Sequence, residues 1–146
     1  MRPILLAILL VPAVTGEVCA QTAPPASAVA SSERLGVLEV AGNSAQTQLG
    51  KPVHFEVQRL RVLGDWAFLH ARMQGPNGQP ISYAGTRYED ASRHGQKSAN
   101  YDALLQRKQG QWSVQAEAIG ATDVPWTDWS HRYGAPSSLF DEGSGN

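Results

Sequence analysis

The first element that the pattern of apolar positions predicts is an amphipathic helix over residues 32–49. Apolar residues recur there at spacings of three and four, which places them on one helical face. Ser32 supplies an N-cap, Glu33 complements the helix dipole, and Gly50-Lys51-Pro52 ends the helix. The apolar stripe consists of Leu35, Leu38, Ala41, Ala45 and Leu49.

Alternating apolar and polar residues then predict two antiparallel strands joined by a tight turn at Gly64-Asp65. In the first strand the apolar positions change phase after Arg59, which is the pattern that a β-bulge produces. The second strand carries apolar residues on both faces, which indicates a central position in the sheet. One of its faces carries Ala67, Leu69, Ala71 and Met73, and the other carries Trp66, Phe68, His70 and Arg72.

A loop and a hairpin follow. Residues 76–80 form a turn cluster, and the mostly polar residues 81–99 predict a loop that could include a short strand. Residues 101–108 and 112–119 then predict a hairpin across residues 109–111. In its second strand we expect Trp112, Val114, Ala116 and Ala118 on one face, and Ser113, Gln115 and Glu117 on the other.

This order of elements predicts an α+β fold in which an N-terminal helix packs on a curved antiparallel sheet, a roll, followed by a short C-terminal helical segment. A resemblance supports the same layout. It is carried by residues 64–68 (GDWAF) and 101–129 (YDALLQRKQGQWSVQAEAIGATDVPWTDW), which resemble small exported bacterial proteins of unassigned function. Their layout is similar to the cone-shaped rolls of nuclear-transport-factor-2-like and cystatin-like domains. Enzymatic members of those rolls use an Asp/His pair at the pocket end, and no such pair is recognisable in this sequence.

The N-terminus has the parts of a secretory signal peptide over residues 1–20. Arg2 precedes an apolar stretch of about 11 residues, too short to span a bilayer, and small residues follow. Val18 and Ala20 stand at positions −3 and −1 of a cleavage before Gln21. Lipid attachment at Cys19 is the alternative, but its flank, Gly16-Glu17-Val18, matches a lipoprotein signal poorly. The sequence therefore predicts an exported, periplasmic or secreted protein.

Composition divides the rest of the chain. Residues 21–32 are rich in Ala, Pro and Ser, which predicts a flexible linker. We expect residues 33–140 to form a single domain and residues 141–146 to form a disordered tail. The chain has one cysteine, which leaves with the signal peptide, so we expect no disulfide in the mature protein. Its formal net charge of −1 gives no general attraction to nucleic acid or anionic membranes.

Sequence motifs for catalysis or cofactors are absent. We find no nucleotide-binding glycine loop, no Gly-x-Ser-x-Gly elbow and no His pair at metal-ligand spacing. Asp90 and His94 are four residues apart, which favours a solvated pair on a helix over a metal site. We therefore predict no cofactor, no metal and no catalytic residue.

Two clusters are candidates for binding. The first combines an aromatic floor with titratable and cationic groups, which suits a small anionic or polar ligand in the concave side of a roll. It consists of Trp66, His70 and Arg72, with Glu117 added if the strands pair suitably. A half-solvated sheet face explains the same pattern without a ligand.

The second cluster is aromatic. Pro125 at a first helical position, with Asp123 or Thr122 as cap, predicts a short helix. Trp126, Trp129 and Tyr133 share one face of it, which either closes the end of the sheet or stays partly exposed to a partner. We expect Trp129 to be the more buried tryptophan. The candidate partner-binding residues are Trp126, Asp128, Arg132 and Tyr133.

Three functions remain compatible with the sequence. The first is an exported, non-catalytic binding module, such as an inhibitor or an immunity-type partner of an envelope protein. The second is a roll-type small-molecule-binding protein or enzyme that uses His70 and Arg72. The third is a structural accessory of the envelope.

Overall fold

The computed structural model describes the backbone of residues 26–141 and the side chains of residues 30–141. The predicted signal peptide, the start of the predicted linker and residues 142–146 of the predicted tail lie outside this range. Its elements are helix α1 (Ala26–Leu49), strands β1 (His54–Leu63) and β2 (Trp66–Gln74), helix α2 (Glu89–Arg93), strands β3 (Asn100–Lys108) and β4 (Gln111–Ile119), helix α3 (Trp129–Tyr133) and a 3₁₀ turn (Ser137–Leu139).

The four strands form one antiparallel sheet in the order β1-β2-β3-β4. The central position predicted for β2 is confirmed, since β2 pairs with both β1 and β3. α1 packs on one face of the sheet, which we name the inner face, and residues 125–141 pack on the opposite, outer face. The predicted α+β class, with an N-terminal helix on an antiparallel sheet and a short C-terminal helix, is confirmed.

α1 is longer than the predicted helix. It begins at Ala26, six residues before the predicted N-cap Ser32, because the alanine-rich end of the predicted linker continues the helix. The buried stripe also differs. It includes Val37, while the predicted core residue Leu35 is 67% exposed. Predicted Ala41, Ala45 and Leu49 are buried, and the small side chains of the two alanines let the helix lie close to the sheet. Gly50, with φ 67°, ends the helix.

The predicted bulge in β1 is confirmed, one residue earlier than expected. Val57 is opposite Ala71 and Arg59 is opposite His70, so Gln58 is the extra residue. The bulge returns Leu60 to the inner face and leaves Arg59 on the outer face.

A second bulge, in β4, was not predicted. Leu104 is opposite Ala116 and Leu105 is opposite Val114, so Gln115 is the extra residue. The expectation that Trp112, Val114, Ala116 and Ala118 share one face is therefore wrong. Trp112 and Val114 pack in the inner core, while the two alanines pack in the outer cluster. The hairpin turn before β4 has two residues, Gln109 and Gly110, both with positive φ, a geometry that favours tight antiparallel pairing.

The loop between β2 and β3 contains the short helix α2, where the sequence predicted a loop that could include a strand. The beginning and the end of this loop are joined by Tyr83, which is buried and donates a hydrogen bond of 2.6 Å to the carbonyl oxygen of Ser98. Gly120 lies directly against the Tyr83 hydroxyl and has φ 68°, so no larger residue fits there.

The C-terminal helix starts later than predicted. Pro125 lies in a turn, and α3 begins at Trp129 and ends at Tyr133, followed by Gly134 in the left-handed conformation. Within the described residues, no helix is both long and apolar enough to cross a membrane.

Candidate functional site

The outer face of β2 carries three of the four predicted ligand-binding residues. Trp66, His70 and Arg72 alternate with core residues and point away from α1, as the period of the strand requires. Trp66 is half-buried against the C-terminal segment, and Arg72 is exposed. The structure therefore brings this part of the predicted cluster together.

His70 is paired with a buried carboxylate that the sequence did not reveal. Its Nδ1 lies 2.5 Å from Oδ1 of Asp102, which is the residue directly opposite on β3. The His70 side chain is 22% exposed and that of Asp102 only 1%. Because the carboxylate fixes Nδ1, the other ring nitrogen, Nε2, is oriented away from it. The sequence lacked a recognisable Asp/His pair, and pairing of β2 with β3 creates one.

Burial raises the pKa of Asp102 above its ordinary value, whereas the hydrogen bond from His70 and the charges of His70 and Arg59 act in the opposite direction. The second carboxylate oxygen, Oδ2, is buried and accepts no hydrogen bond from a described residue. The Nε of Arg59 is likewise buried and donates none. A buried polar atom without a partner is uncommon in folded proteins.

An aromatic cover lies over this pair. The Trp126 ring is tilted against His70 at 5.4 Å and against Phe68 at 5.1 Å. The Arg59 guanidinium lies over both Phe68 and Trp126, at 4.9 and 5.5 Å from their ring centres. Cations stack favourably on aromatic faces, so Arg59 and Trp126 hold the start of the C-terminal segment on the sheet.

Glu117 does not belong to this site. The bulge at Gln115 turns its side chain to the inner face, opposite to His70, so the expected grouping is wrong. Its carboxylate accepts hydrogen bonds from Ser44 and Gln48 of α1 and from Tyr101 of β3. Burial, followed by the charge of Glu117, raises the pKa of Tyr101. The contacts of Glu117 are those of an anchor between α1 and the sheet.

Some of the predicted partner-binding residues pack in the outer cluster, and others are exposed to solvent. Trp129 is 5% exposed and Trp126 is half-buried, which confirms the expected order of burial. Tyr133 is half-buried in the same outer cluster. Arg132 and Asp128 are exposed and form an ion pair of 3.4 Å.

Three arginines lie on the outer face of β1 and β2. Arg59 and Arg61 follow each other on the outer side of β1, and Arg72 lies on β2. Among the described residues, none of the three forms an ion pair with a carboxylate. Glu56 is opposite Arg72, but it accepts a hydrogen bond from Gln74. The carboxylates of Asp102 and Glu56 lie on the same face, so its charges are of both signs. We name the three arginines the arginine face (Arg59, Arg61, Arg72).

Two of these arginines donate hydrogen bonds to main-chain oxygens of the C-terminal segment. Arg61 donates to the carbonyl oxygen of Asp141, and Arg59 donates at 3.4 and 3.5 Å to those of Phe140 and Asp141. A guanidinium has five N–H donors, so each arginine retains donors beyond these contacts.

A groove of about 500 Å³ lies on the other side of the molecule, between α1 and β1. Its apolar lining includes Leu35, Leu38 and Phe55, and Gly42 removes a side chain from its floor. In the described part of the chain, no group of three or more His, Cys, Asp or Glu residues is placed to hold a metal ion.

Comparison with known proteins adds little to this description. No protein-family model matches the chain, and no curated protein matches it. The solution NMR structure of a de novo designed β-sheet protein is similar at 16% identity over 65% of this chain and 91% of that one, with a TM-score of 0.41. The functional argument therefore depends on the contacts described above.

Sequence reasoning missed Asp102 and Arg59. The signal for Asp102 was an acidic residue inside the apolar run of residues 101–105, where only a partner makes burial of a carboxylate favourable. The signal for Arg59 was its position at the phase change in β1. Both needed the strand register before a role could be assigned.

Proposed function

We propose that the protein is an exported, non-catalytic binding module of the cell envelope that acts on a protein partner, as an inhibitor or immunity-type protein does. One observation carries this proposal: the ring of Trp126 is only half-buried and contacts both the Arg59 guanidinium and the His70 ring on the outer face. Tryptophan and arginine are enriched in the residues that dominate binding energy at protein interfaces. The outer face is thus the proposed docking surface, and Tyr133 and Arg132 of α3 extend it.

The roll shape is part of the same proposal. Each of the two outermost strands contains a bulge, at Gln58 and Gln115, and bulges bend strands and increase their twist. Curvature of this kind would give the similarity to nuclear-transport-factor-2-like and cystatin-like rolls that residues 64–68 and 101–129 suggest.

Site-specific photo-crosslinking in the cell envelope tests the docking surface. A photoreactive amino acid replaces Arg132 on the outer side, and the matched control replaces Leu35, which is also highly exposed but lies on α1. We expect one adduct of defined mass from position 132 and none from position 35. Equal labelling at both positions, or no adduct at either, would count against the proposal.

A second function, binding of a small polar molecule with His70 as acid or base, is favoured by the unpartnered Oδ2 of Asp102. The Asp102 carboxylate orients His70, and Nε2 is the nitrogen available to exchange a proton with a bound molecule. In this function Arg72 supplies positive charge at the edge of the site.

A thermal-shift screen of small metabolites separates the two functions. A ligand that uses His70 should raise the melting temperature of the wild type and of His54→Ala, an exposed histidine control at the start of β1, but not of His70→Ala. Stabilisation that persists in His70→Ala would exclude this use of the histidine.

A further inference from the structure

We infer that Asn77 is a site of spontaneous modification, at which the side-chain amide is converted into aspartate and isoaspartate. Three asparagines have described side chains, Asn43, Asn77 and Asn100. Asn43 lies inside α1 and Asn100 begins β3, whereas Asn77 is exposed in the turn that follows β2. Asn77 is also the only one of the three that precedes a glycine, Gly78.

The conversion needs only the chain itself and water. The main-chain nitrogen of Gly78 attacks the side-chain carbon Cγ of Asn77, and the new N–Cγ bond closes a succinimide ring. The side-chain nitrogen leaves as ammonia and takes with it the proton of the attacking nitrogen. Water then adds to either ring carbonyl group and reopens the ring, which gives aspartate on one side and isoaspartate on the other. Because both reacting groups belong to one chain, the first step is intramolecular.

The turn holds the side chain of Asn77 against the peptide that attacks it. Its Oδ1 accepts a hydrogen bond of 3.3 Å from the main-chain N–H of Gln79, which folds the side-chain carbonyl toward the intervening Gly78 peptide. Negative charge develops on Oδ1 as the nitrogen attacks. A main-chain N–H already directed at that oxygen stabilises the charge.

The backbone at Gly78 gives little protection. Gly78 has φ 72°, and no described atom lies within 4 Å of the position that a Cβ would take there. Its N–H donates a bond of 3.0 Å to the carbonyl oxygen of Gly75, and this bond must open before the nitrogen can lose its proton. Opening costs little free energy in an exposed turn and much more inside a helix or a central strand, where the residues after Asn43 and Asn100 lie.

The product differs from the original protein in charge and in backbone length. Each conversion adds one negative charge to a chain of net charge −1. Isoaspartate also lengthens the main chain inside the turn, which is closed by the 2.9 Å bond from the N–H of Gly75 to the carbonyl oxygen of Gln79. We therefore expect the modified form to elute as a more acidic species in ion exchange, with faster amide hydrogen exchange in residues 75–79.

Peptide mapping of the purified protein after storage tests the site. Trypsin cuts after Arg72 and Arg87, so Asn77 is the only asparagine in its peptide. We expect its aspartate and isoaspartate forms to accumulate at least about tenfold faster than those of the other two described asparagines, a ratio that a barrier lower by about 1.4 kcal/mol produces. The rate should increase as the pH rises, because the nitrogen of Gly78 attacks only after it has lost its proton.

Asn77→Gln is the matched control, since it keeps an exposed amide at the same position but would have to close a larger ring. It should stay unconverted while the wild type converts, at an unchanged melting temperature. Three results would overturn the inference: conversion at Asn77 no faster than at Asn43 or Asn100, equal loss of the amide in Asn77→Gln, or a rate that does not change with pH.

Discussion

The charged form of the buried Asp102 side chain depends on stabilisation by its neighbours. A carboxylate that is 1% exposed is unfavourable unless something compensates, and His70 and Arg59 supply that compensation across two neighbouring strands. The pair contains one satisfied and one unsatisfied carboxylate oxygen. Its protonation should therefore affect stability in a measurable way.

The first prediction concerns pH. Burial raises the pKa of Asp102 in the folded protein above the value of about 3.9 for the unfolded chain. The folded state thus holds this proton more tightly, and the stabilisation is complete below about pH 4 and is lost as pH rises through the folded pKa. We expect the free energy of unfolding of the wild type, minus that of Asp102→Asn, to fall as the pH rises above about 4. Urea unfolding at several pH values measures it, and a rising difference would contradict it.

The second prediction separates the two tryptophans of the C-terminal segment. Trp129 is 5% exposed, so Trp129→Ala should cost about 3–5 kcal/mol of unfolding free energy. Trp126 is half-buried, and Trp126→Ala should cost about 1–2 kcal/mol, within the usual range for single substitutions. In a domain of this size each kcal/mol lowers the melting temperature by about 4–8 °C. Equal and large losses at both positions would mean that Trp126 is a core residue with no exposed role.

At the scale of elements, the predicted order of helix, hairpin and hairpin is confirmed because each depends on local signals. Gly64-Asp65 and Gln109-Gly110 form the turns, and hydrophobic alternation sets the faces of β2. The bulge in β1 was visible because apolar residues changed phase. The bulge in β4 was not, because alanine fits either face and Ala116 and Ala118 left no phase signal.

That hidden bulge explains why the candidate site was only partly predicted. Without it, Glu117 would have joined His70 on the outer face, and the inner face would lack its anchor for α1. The contact between His70 and Asp102 spans 32 residues of sequence, and only the register of β2 against β3 makes it evident. Periodicity identifies which face a residue occupies, whereas pairing identifies its neighbour.

The third prediction concerns the anchor of α1. Ser44, Gln48 and Tyr101 all donate to the Glu117 carboxylate, so Glu117→Ala removes the acceptor that they share, and of the three Tyr101 still has the carbonyl oxygen of Ala41 at 3.3 Å. We expect it to cost about 1.5–3 kcal/mol, the usual effect of hydrogen bonds to a charged group. Glu56→Ala is the control, because that exposed carboxylate accepts one bond from Gln74 and its loss should change stability by about 0.5 kcal/mol or less. Equal effects measured by chemical denaturation would refute the anchoring role.

At the scale of the whole molecule, the outer face carries charges of both signs. The net charge of the chain is −1, and Asp102 and Glu56 lie on the same side of the described sheet as Arg59, Arg61 and Arg72. On the opposite side, α1 presents Glu39 and Asn43 at the rim of the groove. A local field of this kind affects how fast and in which orientation a charged partner approaches, more than it affects stability.

The fourth prediction concerns the mature chain. A secretory signal over residues 1–20 predicts that the exported protein begins at Gln21 and lacks Cys19, and therefore has no thiol. The intact mass of protein purified from the periplasm checks both points, and failure to react with a thiol reagent is an independent control. Retention of Cys19 with attached acyl chains would show that the lipoprotein alternative is correct.

The two bulges have a consequence for contact between copies of the molecule. Sheet margins with regular, unpaired N–H and C=O groups can recruit a strand from another copy and start fibril growth. Here the strands at both margins, β1 and β4, are each interrupted by one glutamine, Gln58 and Gln115. An interruption on each side breaks the regular template that an incoming strand would need. The residues that direct side chains inward and outward thus also make the two edge strands poorer templates for a strand from another copy.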